Sequence, residues 1–329
     1  MKFSDPAYGK FELKSDVLED VIRTDALQRL KGINQYGTFQ FILPRFKTSR
    51  FEHSLGTCYL LGRLGASLEE QLAGLAHDIS HTAFSHVIDY VNGEEDSQEN
   101  HDSLFEKTFM GSEIPSIMKR YGLKPKALLQ TERFQLLERQ LPDLCADRLD
   151  CFFRDSVLLG VSTPGQIRTY MKYLTKEENE IMVVDSMVAR KMALGYMECA
   201  KKLWASPTQA ASYRIMADAR THATISRVVS RDDFFLTDQE LYRKMRASRR
   251  PEVVSRLDMI SPTFFAVHNP QKYDFFVKTK PRCIDPKVLH AGTVSRLSEV
   301  DPEYRSRMEQ FVARVSQGYY AKVFPGQKS

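Results

Sequence analysis

Leu75-Ala76-His77-Asp78-Ile79-Ser80-His81-Thr82-Ala83-Phe84-Ser85-His86 is the stretch whose reading decides the fold. Leu72, Leu75 and Ala76 form the apolar stripe of a helix, and the stripe is broken by an imidazole and a carboxylate side by side. Neighbouring helical residues point about 100° apart, so His77 and Asp78 serve one ligand only where a helix end presents both. Upstream lies Arg50-Phe51-Glu52-His53-Ser54-Leu55-Gly56, with His53 just inside a helix expected to start near Phe51. Downstream lies Asp147-Arg148-Leu149-Asp150. Asp147, Cys151 and Asp155 recur at helical spacing, so one face of that third helix carries two carboxylates.

Two imidazoles and two carboxylates from three separate segments are the donor set of a divalent metal holding a reactive water. Mixed nitrogen and oxygen donors suit Mn, Fe, Ni, Co, Zn or Mg and not soft copper(I). Each residue has an ordinary reading too. A lone histidine beside apolar residues is more often a hydrogen-bonded core residue, and an aspartate near a helix start is more often a cap. That reading has to hold for His53, His77, Asp78 and Asp147 together, and it leaves the His77-Asp78 pair in an apolar helix unexplained.

The 329 residues suffice for one large core or two modest ones, and 42% apolar with 27% charged residues is ordinary for a globular enzyme. A net charge of +5 permits anionic substrates but lacks the concentrated basic face of a nucleic-acid binder. The basic runs at 243–250 and 278–282 read as solvated surface. Five cysteines without a CxxC pair form neither a disulfide framework nor a zinc knuckle, which favours a reducing compartment. No apolar leader and no membrane-length apolar run is present, so a cytoplasmic protein without membrane contact is expected.

Periodicity predicts a mainly α fold: a short β-hairpin over 3–13, then helices near 52–66, 68–78, 82–91, 99–110, 143–158, 186–204 and 207–229. Pro44 makes 39–48 a loop, and a small hairpin is expected within 170–184. Prolines and β-branched or aromatic clusters past 230 predict a smaller mixed α+β lobe ending in a strand near 318–324. The expected organisation is a helical core over 1–230 and a C-terminal lobe over 231–329.

The motifs as a set resemble the HD superfamily of metal-dependent phosphohydrolases, whose signature is H…HD…D. Within it they are most similar to the deoxynucleoside-triphosphate triphosphohydrolase branch. The likeness runs from Asp5-Pro6-Ala7-Tyr8-Gly9 through Gln28-Arg29-Leu30-Lys31 to Asp155, with a weaker echo at Phe235-Leu236-Thr237-Asp238 and Ile284-Asp285-Pro286. It implies an HD-type helical bundle with His53, His77, Asp78 and Asp147 as metal ligands. His86 then matches the catalytic histidine, oriented by Asp89, while His81 and His101 match histidines of the phosphate or acid–base set. Arg50 and Arg148 stand where phosphate contacts are placed, and Gln35, Tyr36, Cys151 and Asp155 stand on the substrate side. Tyr36 replaces a leucine, Cys151 a tyrosine and Arg148 a lysine, and the nucleotide-cradling Arg…Tyr…His segment has no counterpart in 203–212. The resemblance therefore implies an intact metal centre beside an altered nucleotide pocket.

The leading expectation is a hydrolase of a phosphate ester or anhydride in a small phosphorylated metabolite, nucleotides included. The alternatives are the parent triphosphohydrolase activity, a di-iron oxygenase using His81, His86 and His101, and a ligand-sensing protein that keeps the ion for stability. A homo-oligomer is the default by analogy.

Overall fold

The computed structural model describes residues 1–92, 100–290 and 292–326. Over these the chain is mainly helical, with three small sheets. The N-terminal hairpin pairs strand β1 (Lys2–Asp5) antiparallel with β2 (Gly9–Glu12), setting Phe3 opposite Phe11. Its turn returns Asp5 and Tyr8 toward the interior, where Tyr8 is buried.

Three helices carry the motif residues. The first, Arg50–Arg63, opens with a capping box in which the Ser49 hydroxyl accepts the Glu52 amide and the Glu52 carboxylate accepts the Ser49 amide. It packs against both Leu68–Ala76 and Ala146–Leu158. Gly56 allows that close approach: a Cβ there would sit 1.8 Å from Asp150 Oδ1. The second helix ends at Ala76, so His77 caps it and Asp78 already lies beyond it, as the motif requires.

The expected helix over 82–91 forms only as Val87–Asn92. The preceding residues leave helical geometry because Phe84 (φ 64°) and Ser85 (φ 51°) are successive left-handed residues, a conformation costly outside glycine. Hydrogen bonds hold it. The Phe84 amide donates to Asp238 Oδ1 at 2.7 Å, the Ala83 amide to the Phe234 carbonyl at 2.8 Å, and Arg220 Nη1 to the Ala83 carbonyl at 3.1 Å. Smaller differences are a short helix, Phe39–Ile42, inside the expected loop, and a helix Pro207–Ile225 that stops before 229. The helix Ser186–Cys199 continues as a π-helical turn, Ala200–Trp204.

Two apolar cores flank the site. One gathers the N-terminal hairpin and the three motif helices around Leu61, Leu75, Leu149 and Phe152. The other gathers Tyr36, Phe46, Phe84, Met216 and Leu257. The stretch from His77 to His86 crosses from one to the other, with Ile79 in the first and Ala83 and Phe84 in the second, and its polar side chains Asp78, Ser80, His81, Thr82 and Ser85 are buried.

The boundary expected near 230 does not separate these cores. Strands β3 (Leu174–Glu177) and β4 (Glu180–Val183) form the predicted hairpin. Strands β5 (Phe265–His268) and β6 (Phe275–Val277) flank the C-terminal strand β9 (Tyr319–Phe324) in the order β5-β9-β6. Strands β7 (Lys287–His290) and β8 (Thr293–Arg296) extend the earlier hairpin, β7 running parallel to β4. Strand β9 (Tyr319–Phe324) packs, with β5, on the helix Pro207–Ile225. Ile284, Val288, Leu297 and Tyr304 belong to the first core and Val253, Leu257 and Val323 to the second, so the C-terminal third completes both. Among the described residues no helix is long and apolar enough to cross a membrane.

Candidate metal centre

His53, His77, Asp78 and Asp147 come together. His53 Nε2 lies 3.2 Å from His77 Nε2 and 2.8 Å from Asp147 Oδ1. Asp78 Oδ1 is 3.5 Å from His77 Nε2, and its Oδ2 is 3.8 Å from His53 Nε2. Both imidazoles have their other nitrogen engaged: His53 Nδ1 donates to Asp150 Oδ2 at 2.7 Å and His77 Nδ1 to the Gly74 carbonyl at 2.8 Å. The two Nε2 atoms then face each other and two carboxylates, where each holds a proton or, once that proton has left, offers a lone pair to a cation. Ligand atoms about 2.1 Å from a shared ion stand roughly 3 Å apart at right angles, so this donor set fits a divalent cation in number, type and spacing.

Electrostatics reinforce the fit. Burial alone would raise the Asp78 carboxyl, yet the Arg50 guanidinium, with His77 and His81, holds it well below the usual carboxylate range. Burial likewise opposes ionisation of Asp147, and hydrogen bonds from His53 and His77 override it. Burial works against a charged His53, but its hydrogen bonds to Asp147 and Asp150 help raise it well above its ordinary value. An anionic cluster that pulls protons onto imidazole is one in which a cation can take the proton's place.

Support for His53 comes from residues that periodicity did not mark. Asp150 is fully buried and also accepts the Tyr8 hydroxyl at 2.6 Å and Arg154 Nε at 2.7 Å. Arg154 in turn binds Asp5 at 2.5 Å and the Glu52 carbonyl at 2.7 Å. The N-terminal hairpin is thereby tied to His53. Asp150 was visible as the fourth residue of Asp147-Arg148-Leu149-Asp150, three positions past Asp147 on the same helix.

His81 Nε2 lies 3.2 Å from Asp78 Oδ1, and its ring meets His86 edge-on at 5.2 Å between centroids. His86 Nδ1 is 3.0 Å from the buried carboxylate of Asp89, so the pair stands beside the cluster. The side chain of His101 lies outside the described residues.

The arginines differ from expectation. Arg50 is buried inside the cluster: Nη1 donates to both Asp78 oxygens at 3.1 and 3.0 Å, and Nε donates to Ser85 Oγ at 3.0 Å. Arg148 turns away, donating to the Asp143 and Arg139 carbonyls at 2.6 and 2.8 Å and to Glu138 at 3.2 Å. It braces the loop over 138–145.

On the substrate side, Gln35 Nε2 is 2.9 Å from Cys151 Sγ, which lies 3.8 Å from Asp147 Oδ1. Burial pushes the Cys151 thiol up to about 11, so it is neutral near pH 7. Tyr36 is buried and donates to Asp155 Oδ1 at 2.6 Å, while Trp204 Nε1 donates to Asp155 Oδ2 at 2.5 Å. Trp204, the sole tryptophan, was absent from the expected site. Its signal was the loss of the nucleotide-cradling pattern in the same segment. Asp238 was also absent: besides Phe84 it accepts the Asn34 amide at 2.9 Å and Gln40 Nε2 at 2.7 Å, joining the Gln35 segment to the His86 loop.

The HD-domain family model matches residues 50–131, spanning the first three expected ligands. The metal-dependent phosphohydrolase cns2 of Cordyceps militaris is 30% identical over 325 residues, covering 94% of this chain and 91% of that protein. The uncharacterized protein YdhJ of Bacillus subtilis is 35% identical over 325 residues, covering 98% and 99%. Human deoxynucleoside triphosphate triphosphohydrolase SAMHD1 is 33% identical over 232 residues, which is 55% of this chain and 37% of that enzyme. A crystal structure of a Bacteroides thetaiotaomicron phosphohydrolase shares the fold at a TM-score of 0.73 and 19% identity, covering 99% of this chain and all of that one. This chain is a member of the HD-domain metal-dependent phosphohydrolases, in the branch related to the deoxynucleoside-triphosphate triphosphohydrolases.

Proposed function

We propose that the chain hydrolyses a phosphate ester or anhydride of a small phosphorylated metabolite, nucleotides included, at an ion held by His53, His77, Asp78 and Asp147. The observation carrying this reading is the pair of Nε2 atoms facing each other 3.2 Å apart beside two carboxylates. A bound divalent ion supplies charge neutralisation at the phosphoryl oxygens and a water of lowered pKa. The protein's own groups do the rest. Asp150 and the Gly74 carbonyl keep both ligand imidazoles in the tautomer that offers Nε2. Arg50 and His81 fix the orientation of Asp78. Asp89 holds His86 by Nδ1, leaving proton delivery to the leaving oxygen to Nε2. Gln35 and Cys151 line the approach beside Asp147.

The parent triphosphohydrolase reading draws less support. Asp155, which the family likeness assigns to the substrate, has both oxygens engaged by Tyr36 and Trp204. A di-iron site needs a second cation beside Asp78, and the Arg50 guanidinium already occupies that side. The test is elemental analysis of the purified protein, followed by a panel of nucleoside mono- and triphosphates and sugar phosphates with added Mn²⁺. Phosphate release from at least one compound supports the proposal, and inorganic triphosphate as product returns the enzyme to the parent activity. Stoichiometric metal with no turnover on any compound refutes it.

A further inference from the structure

We propose that Arg220 is a positioning residue for His86, acting through the left-handed turn at Phe84 and Ser85. The proposal rests on the proton-delivering role given to His86 above. Arg220 lies on the helix Pro207–Ile225, which packs against the short helix Val87–Asn92 that carries Asp89. Its side chain is fully buried, and its guanidinium carbon lies 4.1 Å from the centre of the Phe234 ring. Nη1 donates to the Ala83 carbonyl at 3.1 Å, while the Ala83 amide donates to the Phe234 carbonyl at 2.8 Å. One guanidinium thus grips both the residue that precedes the turn and the segment that flanks it. His86 follows the turn directly.

Stability does not account for this arginine. A buried arginine ordinarily meets a carboxylate, because an unpaired charge is costly to bury. Here Nε and Nη2 are buried with no hydrogen-bond partner among the described residues. Burial pushes the group down to about 9, against the pull of Asp238 and Asp89, so it is still charged near pH 7. A methionine would fill the space without that desolvation. The turn adds to the cost, since Phe84 and Ser85 both hold left-handed geometry.

A buried charge and a strained turn, held together against stability, mark a geometry kept for what it places. What it places is the His86–Asp89 pair, 3.0 Å apart, with the His86 ring against His81 and His81 against Asp78. A general acid delivers its proton along a fixed line, so a shift of about 1 Å in the turn is felt as a rate loss of up to about 100-fold.

Arg220→Met, His86→Ala and the double variant test this on whichever panel compound the wild type hydrolyses, with elemental analysis and melting temperature for each. Arg220→Met should lower kcat about 10–100-fold, leave KM and metal content unchanged, and melt at or above the wild-type temperature. Added to His86→Ala it should lower kcat no further, because the group through which it acts is already gone. Additive losses, loss of metal, or a fall in kcat matched by a fall in melting temperature overturn the proposal. Should Arg220→Met misfold, Phe234→Leu takes its place by removing the ring under the guanidinium, and the same non-additivity with His86→Ala is required.

Failure of the hydrolase reading shows separately, as a metal-loaded wild type that turns over nothing on the panel. Amide exchange over 81–86 then decides whether Arg220 positions the His86 loop. Faster exchange there in the variant, with the helix Arg50–Arg63 unchanged, upholds it, and equal rates overturn it.

Discussion

Asp147 and Asp155 sit two helical turns apart on one helix, yet their surroundings shift the two carboxyls in opposite directions. Asp147 meets His53 and His77 and is kept well below the usual carboxylate range. Asp155 meets only the neutral donors Tyr36 and Trp204, and burial pushes it up to about 6. Identical side chains on one stripe thus divide the site into an ionic wall and a neutral wall. The difference comes from what the neighbouring elements bring: imidazoles at the Asp147 end, a phenol and an indole at the Asp155 end. A carboxylate among imidazoles is poised for a cation, whereas one among neutral donors is poised for packing.

The sharpest way to break this contrast is to remove the ionic wall. Asp147→Ala or Asp78→Ala should abolish stoichiometric metal by elemental analysis and reduce hydrolysis to background, whereas Tyr36→Phe should keep its metal. Retention of full metal in both aspartate variants would end the ligand assignment.

His86→Ala comes next. It should lower kcat about 10²–10⁴-fold while metal content stays unchanged, because a general acid is lost and the ligands are not. Full activity would remove His86 from the proposed catalytic role.

Asp238→Asn probes how far the neutral wall governs the ionic one. Its carboxylate joins Asn34, Gln40 and the strained Phe84, and substitution should cost about 1–3 kcal/mol of stability in chemical denaturation. A fall in kcat of roughly tenfold with metal retained is expected, since a small misplacement of the His86 loop is felt at the reacting atoms.

The smallest effect is a pH dependence. The folded-state pKa of Asp155 is raised, so the folded form binds its proton more tightly than the unfolded form does. Its contribution to stability is full below about pH 4 and is lost as pH rises through about 6. The stability of wild type relative to Asp155→Asn should therefore decline across that window in urea titrations at fixed ionic strength. A difference independent of pH would mean that Asp155 titrates like an exposed carboxylate.

The ionic wall was legible because its residues stand in short local motifs at helix starts and ends. His53 follows a Ser49–Glu52 capping box, and His77 terminates an apolar helix, so local rules place both. The loop after His81 was not legible. Phe84 and Ser85 suit continuation of a helix by pattern, and partners distant in sequence, Asp238, Phe234 and Arg220 around Phe84 and Asn34 and Arg50 at Ser85, hold them in left-handed geometry. Arg148 reads like a phosphate contact beside Asp147, yet the carbonyls of the 138–145 loop capture it. The expected boundary near 230 followed composition, which reports texture and not pairing; strand β7 joins β4 across that line.

Residue order alone specified the helical class, the candidate donor types and the segments that bear them, because apolar period and caps act over a few residues. Which carboxylates bind charge, which arginines stay inside the cluster, and how the His86 loop is bent were decided only on folding. Those outcomes depend on burial and on partners supplied by distant segments, and such desolvation and pairing terms have no local signature.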